Sequence, residues 1–257
     1  MSGSIFLVEA VSVLTKTRKT LLMCGFVGFL LLGGCKRQKP ADDGSNGDAN
    51  TMAIGFRLAD GVSVTNLDGI SEGYSVKQTD AGSFHFVANV SAERFQTVLM
   101  TLAALVNEPG FLIIEKGTHR DDEERLRKTE ADPFHCDVFY LDNISFVRFR
   151  SIFERYSRFF IHCGGTNFGF GSGEGTDEVF VDRYKIVVIY ADDPQKYIEA
   201  LEKLRIPKRS ELKTVWSNFT EETPGSTSVI TVDGKTIREV VEELKKEGLY
   251  FAERREE

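Results

Sequence analysis

The sequence predicts an α+β fold, in which mixed sheet elements with hairpins and packed helices stand behind a leader segment and a flexible tether. Three observations carry this. Some apolar runs alternate with the period of a strand and others repeat with the period of a helix. The two kinds follow one another unevenly, as α+β chains do and regular α/β chains do not. Hydrophobic residues make up 41% of the chain and charged residues 28%, an ordinary balance for a folded part of about 200 residues with its own core.

The leader comes first. Thr15 to Lys19 carry three positive charges, Leu21 to Leu32 are uncharged and mostly apolar, and Leu32-Gly33-Gly34-Cys35 follows. A positive start, a short apolar run and small residues before a cleavage point form the secretory pattern. Lys36 and Arg37 end the run after about 15 residues, short of the roughly 20 that a membrane-crossing helix needs. The preceding stretch, Met1 to Leu14, is long and contains Glu9; a shorter precursor would start at Val13 or Leu14. From Lys36 to Thr51 no large apolar residue occurs, the composition of a tether. The expected divisions are a signal peptide over 1–34, a cysteine and tether over 35–52, and one α+β domain over 53–257.

The four residues Leu32-Gly33-Gly34-Cys35 resemble the lipobox of bacterial lipoproteins, the substrates of signal peptidase II. That resemblance implies cleavage before Cys35 and lipid, including an amide-linked acyl chain such as palmitate, on Cys35. The chain would then be held on a cell or outer membrane with its domain facing the periplasm or exterior, since two or three acyl chains anchor stably. Lys36 is not the aspartate that the family associates with inner-membrane retention, which favours the outer membrane.

In the folded part, Gly55 to Val64 and Tyr74 to Gln78 read as strands, and Thr79-Asp80-Ala81-Gly82 as a turn. Phe84 to Val90 alternates as a strand should. Ser91 then caps a helix on which Phe95, Val98, Leu99, Leu102, Leu105 and Val106 keep helical spacing. Glu108-Pro109-Gly110 ends that helix before a strand at Phe111 to Glu115, a β-α-β unit. Arg120 to Asp132 reads as a solvated charged helix or loop, with Glu123/Arg127 and Glu124/Lys128 spaced as helical ion pairs. A strand at Cys136 to Leu141 precedes one helix from Ser145 to Phe160, whose Phe146, Phe149, Phe153, Tyr156 and Phe160 form a core-packing stripe. Glu178 to Tyr190 reads as one strand, and Asp193-Pro194 starts a helix that stops before Pro207. A strand at Ser228 to Val232, a turn at Asp233-Gly234, a helix at Ile237 to Glu247 closed by Gly248, and a strand at Leu249 to Ala252 follow.

Gly164 to Gly175 holds six glycines in twelve residues. It lacks phosphate-loop spacing and is followed by a strand where such loops need a helix, so it reads as a hairpin with a mobile tip. Phe168, Phe170, Gly171 and Gly173 are the candidate contact loop.

The chemistry-bearing motifs of zinc proteases, Cys-x-x-Cys proteins, nucleotide-binding loops and serine hydrolases are missing. Ser210 and Lys213 match Ser-x-x-Lys without its companion motifs, a chance match. His135-Cys136 and His162-Cys163 contain four metal-binding residue types, but strand neighbours point to opposite faces, against one shared zinc. Cys136 and Cys163 are the cysteines left in the domain once Cys35 is lipidated, and strand and helix lengths bring them together for a disulfide, with reduced packing thiols as the competing state. No cofactor and no metal are expected.

Formal net charge is −7; the segment before Cys35 carries one acid against three bases, which leaves −9 for the rest. An acidic domain excludes general nucleic-acid binding. The expected function is a membrane-anchored, non-catalytic module that binds a protein or envelope component. One rival is a cell-envelope hydrolase using Asp177 or Glu178 near the glycine-rich stretch. The other is an immunity lipoprotein that neutralises a basic toxin.

Overall fold

In the computed structural model the described residues are 56–256. The lipobox, Cys35 and the tether lie outside them. The α+β class holds: among the described residues six helices and a short 3-10 helix pack with an eight-stranded sheet that is antiparallel at every pairing.

The first predicted strand shrinks to β1, Val62–Val64, which pairs with β9, Gly225–Thr227, outside the main sheet. β2, Gly73–Gln78, and β3, Phe84–Asn89, form the expected hairpin. Helix α1, Phe95–Ala103, begins after Ser91, whose hydroxyl instead accepts the Arg57 amide at 3.0 Å. β4, Gly110–Gly117, follows, then the charged helix α2, Arg120–Leu126, and β5, His135–Ile144.

The single helix expected over 145–160 is two: α3, Phe146–Arg155, and α4, Ser157–His162. Tyr156 between them leaves the helical conformation at φ −117°, ψ 22°, and its hydroxyl donates to Glu243 at 2.8 Å. Likewise, the expected strand 178–190 is a hairpin of β7, Glu178–Val181, and β8, Ile186–Ala191. Asp182 makes that turn by accepting the amides of Tyr184 (2.8 Å) and Ile186 (2.9 Å), and Lys185 takes φ +64°. Helix α5, Gln195–Lys203, the 3-10 turn Val215–Asn218, helix α6, Ile237–Lys245, and β10, Tyr250–Glu256, complete the chain. Asp233 and Gly234 both have positive φ, which the Asp-Gly turn before α6 requires.

The largest correction concerns the glycine-rich stretch. It is no mobile tip but β6, Thr166–Ser172, a central strand buried at every residue between β4 and β7. Phe168 and Phe170 are fully buried. Phe170 stacks on Phe149 at 4.7 Å between centroids and Phe168 tilts onto Phe160 at 4.7 Å, so the predicted aromatic stripe of α3 and α4 meets the aromatic residues of β6.

The strand order is β10-β5-β4-β6-β7-β8-β3-β2. The β3-α1-β4 unit joins parallel strands, as the sequence implies, but β8, β7 and β6 stand between them. Side chains of alternate residues divide between two faces. One face, with Leu112, Ile114, Phe139, Phe168, Phe170, Val179 and Ile189, packs the main core against the helices. The other carries a separate cluster of Ile113, Cys136, Val138 and Phe180, with Phe111, Tyr140 and Val188 at its margin. Cys163 belongs to the first cluster and Cys136 to the second, and no disulfide joins them. Strand and helix lengths alone do not reveal on which face of the sheet each cysteine falls, and the two fall on opposite faces.

Candidate functional site

The second face of the sheet gathers a polar group inside apolar surroundings. Glu115 of β4 and Asn167 of β6 are directly paired across the two strands, and the Asn167 amide donates to Glu115 Oε2 at 2.9 Å. From β10, Arg255 Nη1 donates to Glu115 Oε1 at 3.2 Å, while its Nη2 meets Glu253 at 2.5 Å. Both Glu115 and Asn167 are buried, as is Glu178 of β7.

Two acceptors in this group have no hydrogen-bond partner among the described residues: Glu178 Oε1 and Asn167 Oδ1. Buried polar atoms are rarely left unpaired, and each such exception calls for an explanation. Burial, and then the charge of Glu115, push the Glu178 carboxyl up to about 8, with Arg255 opposing. Glu178 therefore holds its proton at neutral pH. Burial also pushes the Tyr140 hydroxyl up to about 12.

Aromatic rings border the group. Phe111 meets Tyr140 edge-on at 5.6 Å, Tyr140 lies 6.4 Å from Tyr250, and His85 stacks on Tyr190 at 5.0 Å. Glycines of β6 make room for them. A Cβ on Gly171 would lie 2.4 Å from the Phe111 ring, and one on Gly169 would lie 2.8 Å from the Val179 carbonyl and 3.1 Å from the Phe180 ring. Both glycines of this strand are thus a packing requirement of the second face.

Of the residues predicted from sequence, Gly171 alone of the contact loop borders this group. Phe168 and Phe170 point into the helix-side core, and Gly173 lies past the end of β6, its amide bonded to the Pro109 carbonyl at 2.8 Å. Asp177 and Glu178 point opposite ways: Asp177 is buried in an ion pair with Lys196 of α5, whereas Glu178 enters the second face. The two cannot act on one substrate. No group of three or more metal-binding side chains converges among the described residues. His135 pairs with Glu123 at 3.1 Å and His162 with Asp60 at 3.3 Å. Ser210 and Lys213 are exposed in a loop.

Sequence reading missed Glu115, Asn167 and Arg255. The available signal was Glu115 itself, a lone acid closing the apolar run Phe111-Leu-Ile-Ile. No protein-family model matches the chain, and no curated protein or solved structure is detectably similar to it. The class that fold and site define is therefore an α+β domain with a buried, incompletely satisfied acid-amide group on one sheet face.

Proposed function

We propose that the chain is a lipid-anchored, extracytoplasmic binding module whose second sheet face receives a basic segment of a partner protein. The observation that carries this is the pair of buried acceptors without partners, Glu178 Oε1 and Asn167 Oδ1, set among aromatic residues. Both atoms are closed off from solvent, so a lysine or arginine side chain would reach them as the bordering side chains move aside; it would then supply the missing donors, and its positive charge would favour ionised Glu178. The net negative charge of the chain would draw such a partner in. The lipobox-like Leu32-Gly33-Gly34-Cys35 supports the anchoring, and no described helix is long and apolar enough to cross a membrane.

The test is photo-crosslinking in intact cells with the full-length chain, with the probe placed at Tyr140 on this face or at exposed Val147 on α3. The expected outcome is a discrete adduct from Tyr140, absent from Val147 and lost in Glu178→Ala. Equal adducts from both positions would reject the assignment. The raised Glu178 carboxyl also favours a second reading, an envelope hydrolase with Glu178 as general acid. Release of soluble fragments from purified envelopes by the wild type but not by Glu178→Gln would select that reading.

A further inference from the structure

We propose that a second site, in the cavity between α6 and the β10-β5-β4 end of the sheet, binds the phosphate group of a phosphate monoester. The cavity has a volume of about 360 Å³ and lies on the helix side of the sheet, away from Glu178. That volume is in the range of small-ligand sites, about 300 to 1,000 Å³.

Its walls are cationic against the sign of the whole chain. Lys116 of β4 and Arg254 of β10 line it from the sheet, and Arg238 and Lys245 line it from α6; the acids among its lining residues are Asp137 and Glu242. Asp137 is fully engaged. Its Oδ1 accepts Arg254 Nε at 2.6 Å and Thr118 Oγ1 at 3.0 Å, and its Oδ2 accepts Lys116 at 3.2 Å. It thereby fixes two of the four cations in place, and Arg254 Nη2 is held as well by Asp122 at 3.1 Å. Lys116 and Lys245 both approach the Phe139 ring, at 5.5 and 5.2 Å from its centroid, so their ammonium groups flank one rigid aromatic residue.

The α6 side is less engaged. Lys245 meets Glu242 at 2.7 Å in an exposed pair, of the kind that a competing anion opens at little cost. The Arg238 guanidinium has no hydrogen bond or ion pair among the described residues, although Glu242 lies one turn along the same helix. The open Arg238 fork and the loosely paired Lys245, facing the fixed positive charges of Lys116 and Arg254 across one cavity, suit a tetrahedral dianion. Phe139 and the half-exposed Phe251, edge-on at 5.7 Å, give an apolar wall for the body of the ester.

The test uses the detergent-solubilised full-length chain at low ionic strength, titrated calorimetrically with inorganic phosphate, with glucose 6-phosphate, and with vesicles of phosphatidic acid or phosphatidylcholine. Saturable binding of glucose 6-phosphate is expected, weaker binding of inorganic phosphate, and none of phosphatidylcholine. Arg238→Ala with Lys245→Ala should weaken binding at least tenfold while leaving the thermal midpoint of the unliganded chain unchanged, since both side chains are exposed. Lys246→Ala, which removes an exposed cation just past the end of the same helix and outside the cavity, should bind as the wild type does. Binding of phosphatidic acid vesicles without the soluble ester would support the phosphate site and assign its source to lipid. Absence of saturable binding to every phosphate probe, or binding equal in the double variant and the wild type, would overturn the proposal.

Discussion

At Glu178 burial and charge oppose each other most directly, and pH makes the conflict measurable. Burial, and then the charge of Glu115, push its carboxyl from 4.5 up to about 8 in the fold, so the unfolded chain loses this proton first. Stability is fully retained below about pH 4.5 and falls as pH rises toward 8, by up to about 1.4 kcal/mol per unit from this group. Lys185, buried beside Asp182, has the opposite history: burial pushes its ammonium from 10.5 down to about 8. From pH 8 to 10.5 the unfolded chain therefore holds the extra proton, and stability rises again. We expect a local stability minimum near pH 8, with the falling limb abolished in Glu178→Gln. Urea unfolding followed by Trp216, the single tryptophan of the chain, measures it; Trp216 donates to Asp182 at 3.1 Å and contacts Tyr184 and Phe219, so its emission reports the fold. A flat profile in the wild type would remove Glu178 from its buried state. Sequence placed Glu178 beside a glycine-rich segment but could not find its surroundings, because Glu115, Asn167 and Arg255 come from three other strands.

At the scale of elements, what was legible depended on whether period and composition agreed. In α6, the apolar spacing of Ile237, Val240, Val241 and Leu244 and Gly248 beyond the end point to one helix over 237–247; it forms over Ile237–Lys245, two residues shorter, with a capping box at Thr236 and Glu239 that the sequence reading did not use. In β6 they disagreed. The alternation Phe168-Gly-Phe170-Gly is that of a strand, yet the glycine content reads as a loop. Only the facing rings, Phe111 from β4 some sixty residues earlier and Phe180 from the next strand, explain why glycine belongs there. The break at Tyr156 was hidden for the same reason, since its hydroxyl partner Glu243 lies 87 residues away. This yields a test of β6 as a packed strand. Gly171→Val should destabilise by about 1 to 3 kcal/mol through collision with Phe111. Gly117→Ala, at the exposed end of β4 with open space at its Cβ, should change stability by less than about 0.5 kcal/mol. Hydrogen exchange should also be slow along 166–172. Fast exchange there would restore the mobile-loop reading.

Across the whole molecule, the sheet acts as a partition. Consecutive residues of β10 serve opposite sides: Arg254 reaches Asp137 and Asp122 on the helix side, and Arg255 reaches Glu115 on the other. The α+β class was legible because helical and extended periods mixed irregularly, but strand order was not, since nothing local reveals that β6, β7 and β8 insert between β3 and β4. The same partition kept Cys136 and Cys163 apart. It has an energetic consequence. Each arginine is partly buried against a buried carboxylate, so Arg254→Gln and Arg255→Gln should each cost about 1 to 3 kcal/mol at pH 7. Their pH signatures should differ. Arg254 and Lys116 hold the Asp137 carboxyl below its ordinary range, a contribution present above about pH 3.8 and lost as pH falls, so the deficit of Arg254→Gln should vanish in acid. Arg255 opposes the rise at Glu178, so Arg255→Gln should push the stability minimum above pH 8. Although the two residues are adjacent in sequence, they share no partner, and their costs should add within about 0.5 kcal/mol in a double-mutant cycle. A coupling above about 1 kcal/mol would mean that the two faces communicate through β10, and the buried acid and the cationic cavity would then form one system.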